Sequence, residues 1–251
     1  MKYREVKPYG FTVNFIQCFW EYETDECDFE HTIIPDGYFD LIAGFEDNSL
    51  KYVKLTGVWT HPVSIKIPKS TKLLAIRFKL LAAEYLFKHE IKSILNTTKD
   101  LPLQFWNIDR FTAHDFEVFV TEISNLIENS IKHLKEIDRR KLKLFKSIYN
   151  EHNLCVKSLS ESTHWSSRQI NRYFNQQFGF SLKAFLNIVR CNSSYKDISH
   201  GNLFPGENYL TSHISLRKLK SIQETHRVNY SEMKMSDFYN WLLSHKSNFA
   251  L

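Results

Sequence analysis

Ser166 to Gly179, S-S-R-Q-I-N-R-Y-F-N-Q-Q-F-G, is the stretch on which the reading of this chain turns. Ser166 with Gln169 three residues on is the pattern of a capping box, where a hydroxyl and an amide side chain satisfy backbone N–H groups left over at a helix start. Gly179 supplies the left-handed residue that commonly ends a helix. Between them Ile170, Tyr173, Phe174, Gln177 and Phe178 fall on one face at helical spacing. Arg168, Asn171, Arg172 and Asn175 share the opposite face, which holds two guanidiniums, two amides and no acid. Arg pairs bidentately with guanine and Asn with adenine in a major groove, and either can hold phosphate. A merely solvated polar face competes with that reading, and the surroundings of the helix decide between them.

Upstream, Leu142, Phe145, Ile148 and Tyr149 give a first short helix that ends around Asn150 to Asn153. Val156 to Thr163 is a second, with Leu159 as its buried residue, and His164-Trp165 is the turn, with Trp165 set in the angle between helices. A short helix, a tight turn and a longer helix with a polar outer face form a helix-turn-helix pattern, which lays its second helix in a major groove. Downstream, Ser181 caps a further helix with Leu182, Phe185, Leu186 and Val189 as its inner stripe, ending near Cys191-Asn192-Ser193.

Charge is distributed in the same sense. Asp138 to Leu251 holds 17 Lys and Arg against 8 Asp and Glu, a balance of +9, while the rest holds 16 basic and 20 acidic residues, a balance of −4. A basic half joined to an acidic half points to a polyanion meeting only the former. The N-terminus lacks the apolar core of a signal peptide, and the longest apolar runs are too short to span a bilayer. Cys18, Cys27, Cys155 and Cys191 lie far apart without CxxC pairs, so free thiols and a cytoplasmic protein are expected.

Residues 1 to about 100 have strand-like texture. Phe11 to Ile16, Thr32 to Ile34, Tyr38 to Phe45, Lys51 to Leu55, Val63 to Ile67 and Leu73 to Phe78 are short runs between turn signals, and Leu80 to Lys88 looks helical. This suggests a β-rich sandwich or barrel. His31, Asp36, Asp40, His61 and His89 are scattered without metal-ligand or nucleophile spacing, so neither catalysis nor a metal is expected, and no cofactor is implied. From Thr112, apolar residues from Phe116 to Leu134 recur at three and four, a stripe that either packs on the β-rich part or meets a second chain in a homodimer. Lys132 to Lys143 is dense in charge, which places a junction near Glu136 to Asp138.

The order Leu159, Ser166, Arg168, Ile170, Arg172, Phe174, Gly179, Ser181, Phe185 and Arg190 resembles the first helix-turn-helix of the AraC/XylS transcription regulators. Ile34 to Ile42 and Gly57 to Phe78 resemble segments of one N-terminal domain class in that family. The resemblance implies a second helix-turn-helix, joined through a linker at Leu182 to Cys191 and lying between Tyr195 and Met233. Leu203 to Tyr209 would be its turn region and Ser212 to Gln223 its recognition helix, with Arg217, Lys218 and Ser221 facing out. The family's glycine and proline after that helix are missing between Gln223 and Tyr230, so this unit reads as degenerate.

The expected fold class is therefore α+β: a β-rich N-terminal barrel or sandwich, then an all-α domain with two helix-turn-helix units joined by a linker helix. The expected divisions are 1–110 as a sensory or interaction domain, 111–137 as a connecting amphipathic helix and 138–251 as the DNA-binding domain. The expected function is sequence-specific transcription regulation on double-stranded DNA. Arg168, Asn171 and Arg172 would meet base edges, and Asn175 a base or phosphate. Ser167, Arg217, Lys218 and Lys220 would position phosphates. The alternatives are a protein-interaction module with weak DNA binding, and a small-molecule-binding module or cupin-like enzyme in the N-terminal half. A small-molecule effector or protein partner there stays open.

Overall fold

The computed structural model describes residues 2–24, 28–134, 137–151 and 154–199. The β-rich part builds a six-stranded antiparallel sheet from β1 (Lys2–Val6), β2 (Ile16–Glu23), β4 (Phe39–Glu46), β5 (Ser49–Thr56), β7 (Thr71–Phe78) and β8 (Thr98–Leu101). Their order across the sheet is β1-β2-β7-β4-β5-β8. A separate ribbon pairs β3 (Phe29–Ile33) with β6 (Val63–Ile67). The alternation of Val63 to Ile67 is thus a strand over that span. Strands β1, β2 and β8 carry weaker sequence signals, because β1 is exposed almost throughout and β2 is buried on both faces.

The stretch from Phe11, expected to begin a strand, is instead a 3-10 turn over Gly10–Asn14. Local polar groups favour the turn: Thr12 Oγ1 donates to the Tyr9 carbonyl at 2.5 Å and Asn14 Nδ2 to the Phe11 carbonyl at 2.8 Å. β2 begins only after it, at Ile16.

Strand register places two different surfaces on the sheet. Phe19, Leu41, Leu74, Ile76 and Phe78 belong to the main core, whereas Cys18, Trp20, Tyr22, Leu73 and Ala75 form a second cluster with Ile65 and Ile67 of the β3–β6 ribbon. Period-two alternation of side chains produces this division. Arg77 and Asp40, paired across β7 and β4, belong to the second surface.

Helices cover the first surface: α1 (Leu81–Tyr85), α2 (Phe116–Lys132), α3 (Arg139–Asn150), α4 (Val156–Thr163), α5 (Ser167–Phe178) and α6 (Leu182–Ser199). The apolar stripe of α2 packs within the chain, since Phe116, Phe119, Ile123 and Ile127 are fully buried and Phe119 meets Phe19 edge-on. Thr112 opens this element through its N–H and Oγ1, which both donate to Asp115 Oδ2, so the first helical residue is Phe116.

One core runs through both halves, joining Phe15 and Phe78 to Phe145, Phe174 and Phe185. Specific polar contacts fix the join. The Tyr149 hydroxyl donates to the Gly37 carbonyl at 2.9 Å and accepts the Leu80 N–H at 3.1 Å. Gly37 has φ +83°, and a Cβ there would stand 3.2 Å from Phe185 and 3.3 Å from Val189, so glycine suits this position twice over.

Helix α6 corrects the expected linker. It continues to Ser199 rather than ending at Cys191 to Ser193. Asn192 does not stop it, because its side-chain amide is drawn into tertiary contact and donates to the Asp36 carbonyl at 3.3 Å. The second unit expected between Tyr195 and Met233, with Arg217, Lys218 and Lys220, falls beyond Ser199 outside the described residues, apart from the end of α6.

Candidate nucleic-acid interface

Helix α4 starts from Cys155, whose sulfur accepts the Ser158 N–H while the Ser158 hydroxyl faces the Cys155 N–H. Those hydrogen bonds from Ser158 lower the Cys155 thiol from its usual range. The helix ends at His164, which takes a left-handed conformation at φ 51°. Trp165 follows, its ring 5.3 Å from that of Tyr173 and under the Arg140 guanidinium at 5.5 Å. Ser166 then caps α5, accepting the Gln169 N–H, while the Gln169 carboxamide oxygen accepts the Ser166 N–H. Gly179 ends α5 at φ 82°. Only three residues separate α4 from α5, so the angle between the helices is set by hydrogen bonds within the turn itself, including Ser160 Oγ to the Trp165 carbonyl at 2.9 Å.

The inner face of α5 is Ile170, Tyr173, Phe174 and Phe178, all buried. Phe174 lies among the rings of Phe145, Phe178, Phe180 and Phe185. Tyr173 donates its hydroxyl to Glu84 Oε2 at 2.9 Å, and Lys141 from α3 pairs with the other oxygen of the same carboxylate. Burial pushes the Tyr173 phenol far up, with the Glu84 charge acting in the same direction, so it remains a donor. At the C-terminal end of α5 the Ile91 N–H reaches the Gln177 carbonyl at 2.9 Å, and Lys92 and Leu95 pack against Gly179. The β-rich part thus grips the C-terminal end of α5 and leaves its N-terminal half outward.

That outward half carries Arg168 and Arg172, both exposed. They lie four residues apart on one helix face, and among the described residues neither has an ion-pair or hydrogen-bond partner. The amides sort differently. Asn171 is half-buried, and its Oδ1 accepts the Leu182 N–H at 3.1 Å, holding the first turn of α6. Asn175 is exposed, but its Nδ2 donates back to the Asn171 carbonyl at 2.8 Å. Ser167 is half-buried at the first helical position.

Gln176 is a further exposed residue, continuing the line of Arg168 and Arg172 at the same spacing. The four-residue spacing of Arg168, Arg172 and Gln176 is the signal for it in the sequence. Arg190 faces inward: Nη2 donates to the Leu154 carbonyl at 2.6 Å, which ties α6 to the segment before α4.

Chemically, this surface offers two guanidinium forks and a carboxamide on a rigid helix capped at both ends, and among the described residues no acid pairs with either fork. Planar acceptor pairs such as guanine O6 and N7, or phosphate oxygens, match such forks. No group of three or more His, Cys, Asp or Glu among the described residues could hold a metal ion. No described helix is long and apolar enough to cross a membrane.

Residues 4–100 match the model of a family described as a domain of unknown function, DUF6597. No curated protein matches the sequence significantly. Among solved structures, an apo ToxT variant from Vibrio cholerae is 12% identical, with 85% of this chain and 96% of that one covered at a TM-score of 0.35. Another ToxT structure from Vibrio cholerae is 12% identical, with 85% and 97% covered at a TM-score of 0.35. The AraC-like transcriptional activator CuxR is 10% identical, with 72% and 75% covered at a TM-score of 0.24. At such scores the likeness carries no weight for function.

Proposed function

We propose that this chain is a cytoplasmic, non-enzymatic transcription regulator of the AraC type that binds double-stranded DNA in a sequence-specific manner. In this reading α4 and α5 form the first helix-turn-helix, α5 enters the major groove, and a degenerate second unit in the residues beyond 199 assists. Residues 1–110 form a sensory or interaction domain, 111–137 the connection and 138–251 the DNA-binding domain. Arg168 and Arg172 meet base edges, with Asn171, Asn175 and Gln176 flanking them. Ser167, Arg217, Lys218 and Lys220 position the backbone.

The observation that carries this reading is the pair Arg168 and Arg172, exposed and without partners among the described residues on the free N-terminal half of a doubly capped helix. Helix-turn-helix proteins read bases with the N-terminal residues of the second helix. The clamp on the other end of α5 leaves that half accessible.

The test begins with selection of a preferred duplex from random and genomic fragments by the full chain. Arg172→Ala then weakens binding to that duplex by about 1–3 kcal/mol while the protein stays folded. A folded Arg172→Ala protein with unchanged affinity overturns the assignment. A steep salt dependence with no preferred sequence instead supports non-specific binding.

A further inference from the structure

Helix α5 is held at two points by groups that lie outside its own helix-turn-helix. Glu84 of α1 gives both carboxylate oxygens to the helical part: Oε2 accepts from the Tyr173 hydroxyl of α5 at 2.9 Å, and Oε1 accepts from the Lys141 ammonium of α3. The link is largely enclosed, since the side chains of Glu84 and Lys141 keep 29% and 17% of their exposure and Tyr173 is buried. About one turn further along α5, the Gln177 carbonyl accepts the Ile91 N–H at 2.9 Å. Two attachments on successive turns fix both the axial position of a helix and its rotation.

Both holding groups are themselves fixed by the sheet. Only Lys79 and Leu80 separate β7 from α1, whose Leu81, Ala82 and Ala83 are fully buried. Ile91 is buried too, and the 3-10 helix Lys92–Ile94 that follows it sits directly on Gly57 at the end of β5. A Cβ at Gly57 would collide with the Ile94 carbonyl oxygen, so only glycine allows this approach. The Gly57 N–H donates to the Thr97 carbonyl at 2.8 Å, and the Asn96 N–H to the Val58 carbonyl at 3.1 Å. The hold on α5 therefore starts from the ends of β7 and β5 and crosses tertiary contacts, rather than following the chain through α2.

We propose that Glu84 is a positioning residue for DNA reading, and that Leu80 to Leu95 belong to the reading unit together with α4 and α5. Arg172 directly precedes Tyr173, so the rotation of α5 that Glu84 fixes also sets the direction of that guanidinium. Contacts to base edges tolerate displacements of only about 0.5 Å and 10–20°. Phosphate contacts position without reading sequence and survive looser geometry. Loss of Glu84 thus lowers discrimination between duplexes more than it lowers general affinity for DNA. The inference rests on the reading of α5 as a DNA reader, so one of its two measurements is made without DNA.

The experiment uses full-length Glu84→Ala, Tyr173→Phe and the double variant. Amide hydrogen exchange without DNA is expected to be about fivefold faster or more in α5, relative to β7, in each variant. Affinity for the selected duplex is expected to fall about fivefold or more, while affinity for a scrambled duplex stays within about twofold and its salt slope is unchanged. The two substitutions break one link, so the double variant loses no more than the larger single loss, to within about twofold. A purely structural role would lower stability and leave the ratio of the two affinities unchanged in the folded protein. Unchanged exchange in α5, an unchanged affinity ratio in folded variants, or fully additive losses overturns the proposal. Should Glu84→Ala not fold, Tyr173→Phe, which keeps the ring, decides. If the wild type prefers no duplex, the regulator reading fails, and exchange alone decides whether Glu84 holds α5.

Discussion

Arg77 and the pair Arg168 and Arg172 are the same residue type in opposite circumstances. Arg77 lies within a sheet with two carboxylates around it, and its neighbours define its geometry. Burial by itself would lower its pKa, yet Asp40 and Asp36 raise it well above the usual range, so it is a permanent cation. Arg168 and Arg172 project from a helix into solvent with nothing described to neutralise them. A guanidinium already matched to carboxylates serves structure. One left unmatched on a rigid helix is available to a polyanion. Burial and partner count, not residue type, separate the two roles.

Substitution at Arg77 gives the largest effect expected from this contrast. Arg77→Ala leaves Asp36 and Asp40 facing one another without their shared cation. It should cost about 2–3 kcal/mol, short of the range for a fully buried pair because each group keeps some exposure. Urea unfolding of the variant measures this, and a loss below about 1 kcal/mol would remove the distinction drawn between the two arginine sites.

Asp138 offers an intermediate case, a carboxylate that both caps α3 through the Arg140 N–H and pairs with the Arg140 guanidinium. Asp138→Ala should cost about 1 kcal/mol at neutral pH. The side-chain hydrogen bond from Arg140 holds this carboxyl below the ordinary aspartate range, with burial opposing it. A depressed folded pKa means that the stabilisation is present above the unfolded value and is lost as pH falls through the folded one. The stability gap between wild type and variant should therefore be constant near neutrality and close below about pH 4. Thermal melts across that window check the sign, which is wrong if the gap widens on acidification.

The smallest expected effect is on the stability of the outward arginines. Arg168→Ala and Arg172→Ala should each shift unfolding by no more than about 0.5 kcal/mol, since no described contact is lost. Chemical denaturation measures it beside the duplex-binding loss predicted for Arg172→Ala. A destabilisation well above that figure would mean these side chains hold structure, and would blur the comparison with Arg77.

Much of the helical part was legible because its signals are local. Ser166 and Gln169, Gly179, and the stripe Ile170, Tyr173, Phe174 and Phe178 all act within one or two turns, and the structure places α5 between those caps. Val63 to Ile67 was legible for a similar reason, with alternation confined to five residues. The start of β2 was not, because the turn at Gly10–Asn14 depends on side chains bonding to carbonyls three residues back, which an apolar pattern conceals. The length of α6 was not legible either, since the Asn192 amide meets a carbonyl 156 positions earlier.

By itself, then, the sequence determined where α4 and α5 begin and end and which face of α5 is polar, because caps and periodicity need only neighbouring residues. Tertiary structure alone decided what each polar group does. It turned Asn171 toward the first turn of α6, set Glu84 between Lys141 and Tyr173, and closed Asp40 on Arg77 across 37 residues of chain. Long-range partners of this kind leave no periodic trace. They arise when packing brings distant strands and helices together, and that same packing left Arg168 and Arg172 facing outward.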